Sequence, residues 1–116
     1  MQQSVVRNSY DSAVLTFEVI KIDDGWGYEI YKDDTIFIKQ ELIPAVNGYF
    51  LFKTPVDASK AALLVVEKMS QKAGLPSLTI DELDSIGVLD STILNYQKLD
   101  LGTKNPDARK YIRENY

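Results

Sequence analysis

Residues 23–53 read DDGWGYEIYKDDTIFIKQELIPAVNGYFLFK, and this stretch decides the fold. Two runs rich in aromatic and β-branched residues follow the turn sequences at 23–25 (DDG) and 33–34 (DD). Aspartate tolerates left-handed backbone angles and glycine adopts them freely, so both turn sequences are typical of tight β-hairpins. The stretch therefore predicts antiparallel strands joined by short turns.

Alternation along these runs assigns side chains to the two faces of the sheet. Successive side chains on a strand point to opposite faces, so Trp26, Tyr28 and Ile30 are expected to share one face. In the next run Ile36 and Ile38 are expected to face the core. The opposite, mixed face would then carry Gly27, Glu29, Tyr31, Phe37 and Lys39.

The sequence on either side extends this sheet. Residues 14–22 (VLTFEVIKI) are strongly β-prone and predict a strand. This strand is expected to pair with the next strand across the turn at 23–25. Residues 1–12 are polar and predict a loose lead-in. A third strand is expected over 35–41. Asn-Gly at 47–48 is typical of a two-residue hairpin turn, and it predicts a fourth strand over 49–53.

The clearest boundary signals belong to a long helix that follows the strands. Thr54 can cap its first amides, Pro55 suits the first helical position, and Asp57 complements the positive end of the helix dipole. Gly74 and Pro76 are the expected stop. The apolar stripe that would cover the sheet consists of Ala58, Ala62, Val65, Val66, Met69 and Ala73.

The C-terminal part predicts shorter elements. Thr79 and Glu82 have the spacing of a capping box, and Gly87 is typical of the end of that helix. Residues 88–101 fit a strand or a helix by pattern, and an extended conformation is favoured. A last helix is expected over 106–115, PDARKYIREN.

Together these elements predict an α+β fold in a single domain, residues 1–116. An antiparallel sheet of three or four strands would carry one long helix packed across one face, with short C-terminal helices at the edge. Each element has one apolar side to bury, which is why sheet and helix pack together. The expected core residues are Leu15, Phe17, Val19, Ile30, Ile36, Ile38, Ala62, Val65, Val66 and Met69.

Composition narrows the classes of function. The 116 residues include 13 basic and 17 acidic side chains, so the net charge of −4 argues against a general nucleic-acid binder. No apolar run approaches the roughly 20 residues of a membrane-spanning helix, and the first residues lack the pattern of a signal peptide. The absence of cysteine excludes disulfides and thiolate metal sites.

Residue types also argue against most enzyme chemistry. The chain has no histidine and no cysteine, which removes the usual acid–base group and the thiol nucleophile. The paired aspartates at 23–24 and 33–34 are explained by turn formation, and neither pair matches the spacing of a calcium-binding loop. We therefore expect no catalytic residue, no metal and no cofactor.

Three segments carry a resemblance to a known family: GWGYEIYKDDTIFIKQELIPAV, FKTPVDASKAALLVVEKM and LTIDELDSIGVL. In this order they resemble a family of small bacterial domains of unknown function over residues 17–89, within a core of 14–89. The resemblance implies an exported or lipid-anchored protein of Bacteroidetes-type bacteria. It implies a periplasmic or cell-envelope location, with the cytoplasm as the alternative. It implies no catalytic residues, and it leaves 90–116 as a C-terminal extension.

The favoured hypothesis is a non-catalytic binding module for a protein or glycan partner. Aromatic side chains on the predicted hairpins motivate it, because they combine large apolar area with polar tips. Trp26, which lies between two glycines, fits either a core position or an aromatic platform. The candidate surface consists of Trp26, Tyr28, Tyr31, Lys39, Tyr49 and Phe50.

Two alternatives stay open. A carboxylate-based glycan hydrolase would need two carboxyl groups about 5–9.5 Å apart across one cleft. A homodimerising structural domain would need an apolar interface. Leu64, with Leu63 beside it, projects toward the polar side of the long helix. The candidate interface residues are Leu63, Leu64, Tyr111 and Ile112.

Overall fold

Four strands precede three helices in the described parts of the chain. The computed structural model describes residues 5–7, 13–71 and 76–102. The strands are β1 (Val5–Arg7), β2 (Val14–Ile22), β3 (Gly25–Lys32) and β4 (Thr35–Gln40). The helices are α1 (Pro55–Gln71), α2 (Ile80–Ser85) and α3 (Ser91–Gly102). This arrangement confirms the predicted α+β class.

The strands form one antiparallel sheet in the order β1-β2-β3-β4. β2 and β3 pair without interruption, from Ile22 opposite Gly25 to Leu15 opposite Lys32. Both Asp-Asp turns contain residues at positive φ, as tight hairpin turns require. The strands predicted on either side of the two Asp-Asp turns, and their pairing through these turns, are therefore confirmed.

The first strand shows that the expectation of a loose lead-in over 1–12 is wrong at 5–7. Val5–Arg7 pairs antiparallel with the start of β2, with Val6 opposite Leu15. Valines suit a strand, but three residues are too few to show a period along the sequence. The neighbouring strand β2 supplies the partner, which local patterns do not reveal.

β4 contains a bulge that overturns the predicted position of Ile36. Ile30 lies opposite Ile38. Tyr31, the next residue along β3, lies opposite Ile36, so Phe37 is an extra residue on β4. The extra residue breaks the alternation and places Ile36 on the face that carries Tyr31. Ile36 is 52% exposed instead of buried, whereas Ile38 packs against the core.

The predicted strand over 49–53 does not form, and the chain from 41 to 54 is a loop. A type I′ turn at 47–48 would need positive φ at both of its residues. Positive φ angles occur instead at Ala45 (70°) and Gly48 (102°), so the chain turns over a wider span. The predicted hairpin is therefore wrong.

The end of this loop is tied to β3 and to the core. The Trp26 amide donates to the Phe52 carbonyl (2.9 Å), and the Phe52 amide donates to the Trp26 carbonyl (3.1 Å). Phe52 is fully buried, and its ring lies against Tyr28 with the two centroids 6.0 Å apart. Phe52 thus lies beside the start of β3. It binds the same edge of β3 that pairs with β4 further along the strand.

Helix α1 lies across one face of the sheet, against β2 and β3. The Thr54 hydroxyl accepts the Asp57 amide at 3.0 Å and caps the helix as predicted. The buried helix residues are Ala58, Ser59, Ala61, Ala62, Val65, Val66 and Met69. The buried strand residues that share their core are Leu15, Phe17, Val19, Tyr28 and Ile30. With Ile36 excepted, every predicted core residue lies in this core or packs against it.

Helix α2 has the predicted capping box. The Thr79 hydroxyl accepts the Glu82 amide (3.1 Å), and the Glu82 carboxylate accepts the Thr79 amide (2.9 Å). At the other end Gly87 has a φ of 80°, and the Gly87 and Val88 amides donate back into the last turn. These two bonds form a Schellman motif, which satisfies the last carbonyls of the helix.

Residues 91–102 are helical, so the favoured extended conformation is wrong. The helix begins at a cap that the pattern analysis missed, because the Asp90 carboxylate accepts the Ile93 amide (2.9 Å). Ile93 and Gln97, one helical turn apart, are both buried. Their packing against the rest of the domain outweighs the weak strand propensity of this stretch.

Gln97 ties α3 to the loop. The Asn47 amide donates to Gln97 Oε1 (2.7 Å), and Gln97 Nε2 donates to the Asn47 carbonyl (2.8 Å). Some other predictions fall outside the described residues, namely the helix over 106–115 and the stop at Gly74.

Candidate functional site

The predicted binding residues do not form one aromatic platform. Antiparallel partners point to the same face, so the register places Trp26 and Tyr28 on the core face and Tyr31 on the outer face. Tyr28 is buried, with 1% of its surface exposed. Lys39, opposite Glu29, shares the outer face with Tyr31. The sheet thus separates the candidate residues into two groups.

Trp26 is half-buried at one end of the core. Its ring packs against the core, and the Lys21 ammonium nitrogen lies 5.2 Å from the ring centroid, within cation–π range. Its backbone is bound on the loop side by Phe52. Packing on one side and a lysine on the other give this tryptophan the position of a lid over the core.

Tyr49 and Phe50 are neighbours in the loop but differ in environment. Tyr49 is 67% exposed. Phe50 is half-buried, and its ring meets Tyr96 of α3 edge to face, with centroids 5.3 Å apart and planes at 80°. Of the two residues, Tyr49 offers its ring to a partner, whereas Phe50 holds α3 against the loop.

A continuous patch forms instead on β4 and the neighbouring strand. We define the edge patch as Tyr31, Ile36, Phe37 and Lys39. Ile36 and Phe37 are consecutive and are 52% and 41% exposed, respectively. β4 is the last strand in the sheet order and pairs with β3 on one side. Within the described residues its outer edge therefore has no strand partner.

Polar contacts surround the apolar centre of the edge patch. The Tyr31 hydroxyl donates to the Glu29 carboxylate (2.7 Å), and this bond raises the pKa of Tyr31 to about 12. The Lys32 ammonium nitrogen lies 5.6 Å from the Phe37 ring centroid. The Lys39 side chain is 53% exposed. Two lysines thus flank the exposed apolar pair.

Sequence reasoning misses Ile36 as a surface residue, although it assigns Phe37 to the mixed face. Alternation over 35–41 assigns Ile36 to the core, and no glycine, proline or turn sequence marks the bulge. A bulge is a property of two paired strands, so the register of β4 on β3 is needed to reveal it.

The predicted interface residues on α1 offer a small apolar surface. Leu63 is 37% exposed and Leu64 is half-buried. Single exposed leucines are normal on a folded domain. Tyr111 and Ile112 lie outside the described residues.

A cavity of about 340 Å³ lies beside β4, between the sheet, α1 and the loop. We call it the β4 cavity. Its walls include Tyr28, Ile38, Gln40, Ala45, Val65 and Leu78. Among the described residues, no charged side chain lines it. Apolar walls with a few polar groups are typical of small-molecule sites.

In the described part of the chain, no group of three or more side chains that could hold a metal ion occurs, although Glu18 and Glu29 lie opposite each other on β2 and β3. A hydrogen bond from Lys68, followed by backbone amides, lowers the pKa of Glu82. A hydrogen bond from Lys53, followed by backbone amides, lowers the pKa of Asp90. Both carboxylates cap helices, so these pKa shifts have a structural cause.

These features define a small α+β domain with an exposed edge strand and a cavity beside it. The family model of a domain of unknown function, DUF4907, matches residues 18–85, and the chain belongs to this family. The match confirms the resemblance to a family of unknown function. Comparisons with curated proteins and with solved structures give no match. Among the described helices, none is long and apolar enough to cross a membrane.

Proposed function

We propose that the domain is a non-catalytic protein-interaction module, and that β4 takes up an extended segment of a partner protein. The observation that carries the proposal is that β4, within the described residues, pairs on one side only and carries two consecutive exposed apolar residues, Ile36 and Phe37. Strand addition uses the unpaired N–H and C=O groups of an edge strand for affinity and side-chain contacts for specificity.

The direction of the backbone groups supports strand addition. The Trp26 amide and carbonyl point to the β4 side of β3, since they bond the loop there. By alternation along β3, Glu29 and Tyr31 bond toward β2. Lys39 and Ile36 lie opposite them on β4, so these two residues direct their N–H and C=O groups outward.

Side chains of the edge patch indicate the chemistry of the partner segment. Ile36 and Phe37 fit apolar residues, because cross-strand apolar pairs stabilise a sheet. The Lys39 ammonium nitrogen lies 3.8 Å from a Glu41 carboxylate oxygen, but the Lys39 side chain is 53% exposed. It can therefore also meet an acidic residue on the added strand, since opposite charges directly across a ladder attract each other. We therefore expect an extended segment with an apolar centre and an acidic residue at the Lys39 end.

The β4 cavity and the two Asp-Asp turns do not support the glycan-hydrolase alternative. Hydrolysis needs two carboxyl groups that flank one bond, about 5–9.5 Å apart. Among the described residues no carboxylate lines the β4 cavity, and the aspartates at 23–24 and 33–34 are exposed turn residues. A binding role does not need two carboxyl groups that flank one bond.

A location in a bacterial cell envelope belongs to the same proposal. It is supported by the resemblance of three segments to exported or lipid-anchored domains. Fractionation of the native cells, followed by detection with an antibody against the domain, tests it. We expect the signal in the envelope fraction, and a signal confined to the cytosol contradicts this location.

Strand addition is tested by selecting peptides against the domain from a random displayed library. Binding of the selected peptides is measured by fluorescence anisotropy, and the site is mapped by amide hydrogen exchange. We expect protection of the Ile36 and Lys39 amides in the complex. Ile36→Ser should weaken binding about tenfold, the effect of losing roughly 1.4 kcal/mol of contact at the centre of the patch.

Val56 provides the matched control. It is also β-branched, and it is 53% exposed on α1, against 52% for Ile36 on β4. Val56→Ser should therefore leave peptide affinity unchanged. Peptides that bind Ile36→Ser as tightly as the wild type, or that protect amides of α1 instead, contradict the proposal. If light scattering shows dimers for the wild type and monomers for Ile36→Ser, the partner segment is β4 of a second copy.

A further inference from the structure

The β4 cavity has a buried tyrosine on its wall. Tyr28 lines the cavity and is 1% exposed. Among the described residues its hydroxyl makes no hydrogen bond, and burial raises its pKa above the ordinary value for tyrosine. The hydroxyl therefore stays protonated and can donate as well as accept. Buried hydroxyls are normally hydrogen-bonded, because loss of hydration without a new bond is unfavourable.

The packing of Tyr28 does not explain why this residue is a tyrosine. Its ring lies against Phe52, with the centroids 6.0 Å apart, and a phenylalanine would keep that contact. The hydroxyl adds a desolvation cost to the fold with no bond in return among the described residues. A group that enters the cavity and bonds to the hydroxyl accounts for it.

A second polar group faces the same space from the adjacent strand. Gln40 lies opposite Tyr28 in the β3–β4 register, and both residues line the cavity. The Gln40 amide nitrogen donates to the Leu42 carbonyl (2.7 Å). This bond holds the side chain in place and leaves its amide oxygen as an acceptor. The cavity wall therefore carries a tyrosine and a glutamine at paired positions of β3 and β4.

Size and charge define the class of ligand. The apolar walls include Ile38, Val65 and Leu78, and no charged side chain lines the cavity among the described residues. A charged ligand would lose hydration there without a counter-ion. The volume of about 340 Å³ lies at the lower end of the range for small-molecule sites, roughly 300–1,000 Å³.

We propose that the β4 cavity binds a small, uncharged, mostly apolar molecule with one hydroxyl group, which Tyr28 and Gln40 hold. The Tyr28 hydroxyl donates to the oxygen of the ligand, and the Gln40 amide oxygen accepts its proton. The cavity lies on the core face of the sheet, whereas strand addition uses the outer edge of β4. Ligand binding therefore goes beyond the interaction role, and either can fail without the other.

The experiment is an amide NMR titration of the full chain with two probes of equal size, benzyl alcohol and ethylbenzene. Benzyl alcohol should give saturable shifts at Tyr28, Gln40 and Val65, and it should bind several-fold more tightly than ethylbenzene. Benzoate, the charged analogue, should give no shifts at these amides. Absence of saturable shifts with benzyl alcohol would overturn the proposal.

Tyr28→Phe separates a ligand-binding hydroxyl from a structural one. The variant should bind benzyl alcohol about threefold to tenfold more weakly, as expected for one neutral hydrogen bond, and ethylbenzene with unchanged affinity. Its melting temperature should equal or exceed that of the wild type, because no described bond is lost. Unchanged benzyl alcohol affinity contradicts the proposal, and a lower melting temperature as well would assign the hydroxyl to the fold.

Two further variants locate the binding. Ala45 is exposed at the cavity wall, so Ala45→Leu adds three carbons there and should weaken binding of both probes. Ile36→Ser, which tests strand addition, should leave both probe affinities unchanged. Weaker benzyl alcohol binding by Ile36→Ser, with no effect of Ala45→Leu, would place the probe at the edge patch and contradict a site in the cavity.

Discussion

The two hairpins of the sheet both turn at an Asp-Asp pair. They differ in how far along the strands the pairing continues without a register shift. The β2–β3 hairpin turns at 23–24 and pairs without interruption, and its core-facing side chains between 15 and 19 are buried. The β3–β4 hairpin turns at 33–34, and its register shifts almost at once. The shift leaves Ile36 and Phe37 exposed.

The number of neighbouring strands explains the difference. β2 and β3 are central strands, so a slip in their pairing would disturb ladders on both sides. β4 is an edge strand in the described sheet, and an extra residue there disturbs one ladder. A turn sequence therefore sets where a strand pair starts, whereas the neighbours decide how far its register continues.

Truncation of one phenylalanine in each hairpin should have the largest effect and tests the comparison directly. Phe17 on β2 is 3% exposed, so Phe17→Ala should lower the free energy of unfolding by about 3–5 kcal/mol. Phe37 on β4 is 41% exposed, so Phe37→Ala should lower it by less than about 1 kcal/mol. Urea unfolding of both variants measures the two losses. Equal losses of unfolding free energy in the two variants would contradict the difference between the two hairpins.

Gly27 tests how closely the end of β4 approaches β3. A Cβ atom at this position would overlap the Gln40 carbonyl oxygen, and it would lie 2.8 Å from Ile22 Cδ1. Gly27→Ala should therefore lower the free energy of unfolding by about 1–3 kcal/mol and speed hydrogen exchange in β4.

Gly87→Ala is the control for that substitution. Nothing lies within 4 Å of a Cβ atom at Gly87, but its φ is 80°, so the cost is backbone strain of about 1–2 kcal/mol. Exchange in β4 should not change in this variant. If Gly27→Ala also leaves exchange in β4 unchanged, the close approach is not what holds the end of this strand.

Deletion of Phe37 should change the free energy of unfolding less than the preceding glycine substitutions, and it tests whether the fold needs the bulge in β4. It would bring the Tyr31–Ile36 and Ile30–Ile38 pairs into one continuous register. The deleted side chain is largely exposed, so the free energy of unfolding should change by less than about 1 kcal/mol. Cross-strand nuclear Overhauser effects report the new register. An unfolded variant would show that the fold requires the bulge, against the view that an edge strand merely tolerates it.

Acid should have the smallest effect, and part of it should act through the capped ends of α2 and α3. Lysine hydrogen bonds and then backbone amides hold the pKa of Glu82 and of Asp90 below their ordinary values of 4.5 and 3.8. A lowered folded-state pKa stabilises the fold above the unfolded-state value, and that contribution is lost as pH falls through the folded-state pKa.

We therefore expect the urea midpoint to fall as the pH is lowered below about 4.5, the ordinary pKa of a glutamate. A double variant, Glu82→Gln with Asp90→Asn, should show a shallower fall. Amide shifts beside Glu82 and Asp90 should change only when the pH falls below the ordinary pKa values of 4.5 and 3.8, because the folded-state pKa of each carboxylate is lowered. A slope that is the same in wild type and double variant would assign acid sensitivity to other carboxylates.

Local signals were sufficient for the parts of the fold that depend on one segment alone. Turn aspartates, alternating apolar residues and two helix caps correctly predict β2, β3, α1 and α2. The Thr79–Glu82 capping box is the clearest case, since its residue types and spacing specify both hydrogen bonds. These features need no knowledge of the tertiary structure.

The missed features depend on contacts between distant segments. Val5–Arg7 becomes a strand because β2 pairs with it, and 91–102 becomes a helix because Ile93 and Gln97 find buried positions. The bulge at Phe37 is set by register, so alternation alone assigned Ile36 to the core, although it placed the other edge-patch residues on the mixed face.

The bond pair between Gln97 and Asn47 has a consequence for synthesis of the chain. The Gln97 side chain binds the amide and the carbonyl of Asn47, as the backbone of a neighbouring strand would in a sheet. Gln97 lies 50 residues further along the chain than Asn47. On the ribosome the N-terminal part of a domain emerges first. The sheet and α1 can therefore assemble while the loop at Asn47 still lacks its partner. A nascent chain that stops before Gln97 would expose both groups, so the loop is closed only when α3 has been made.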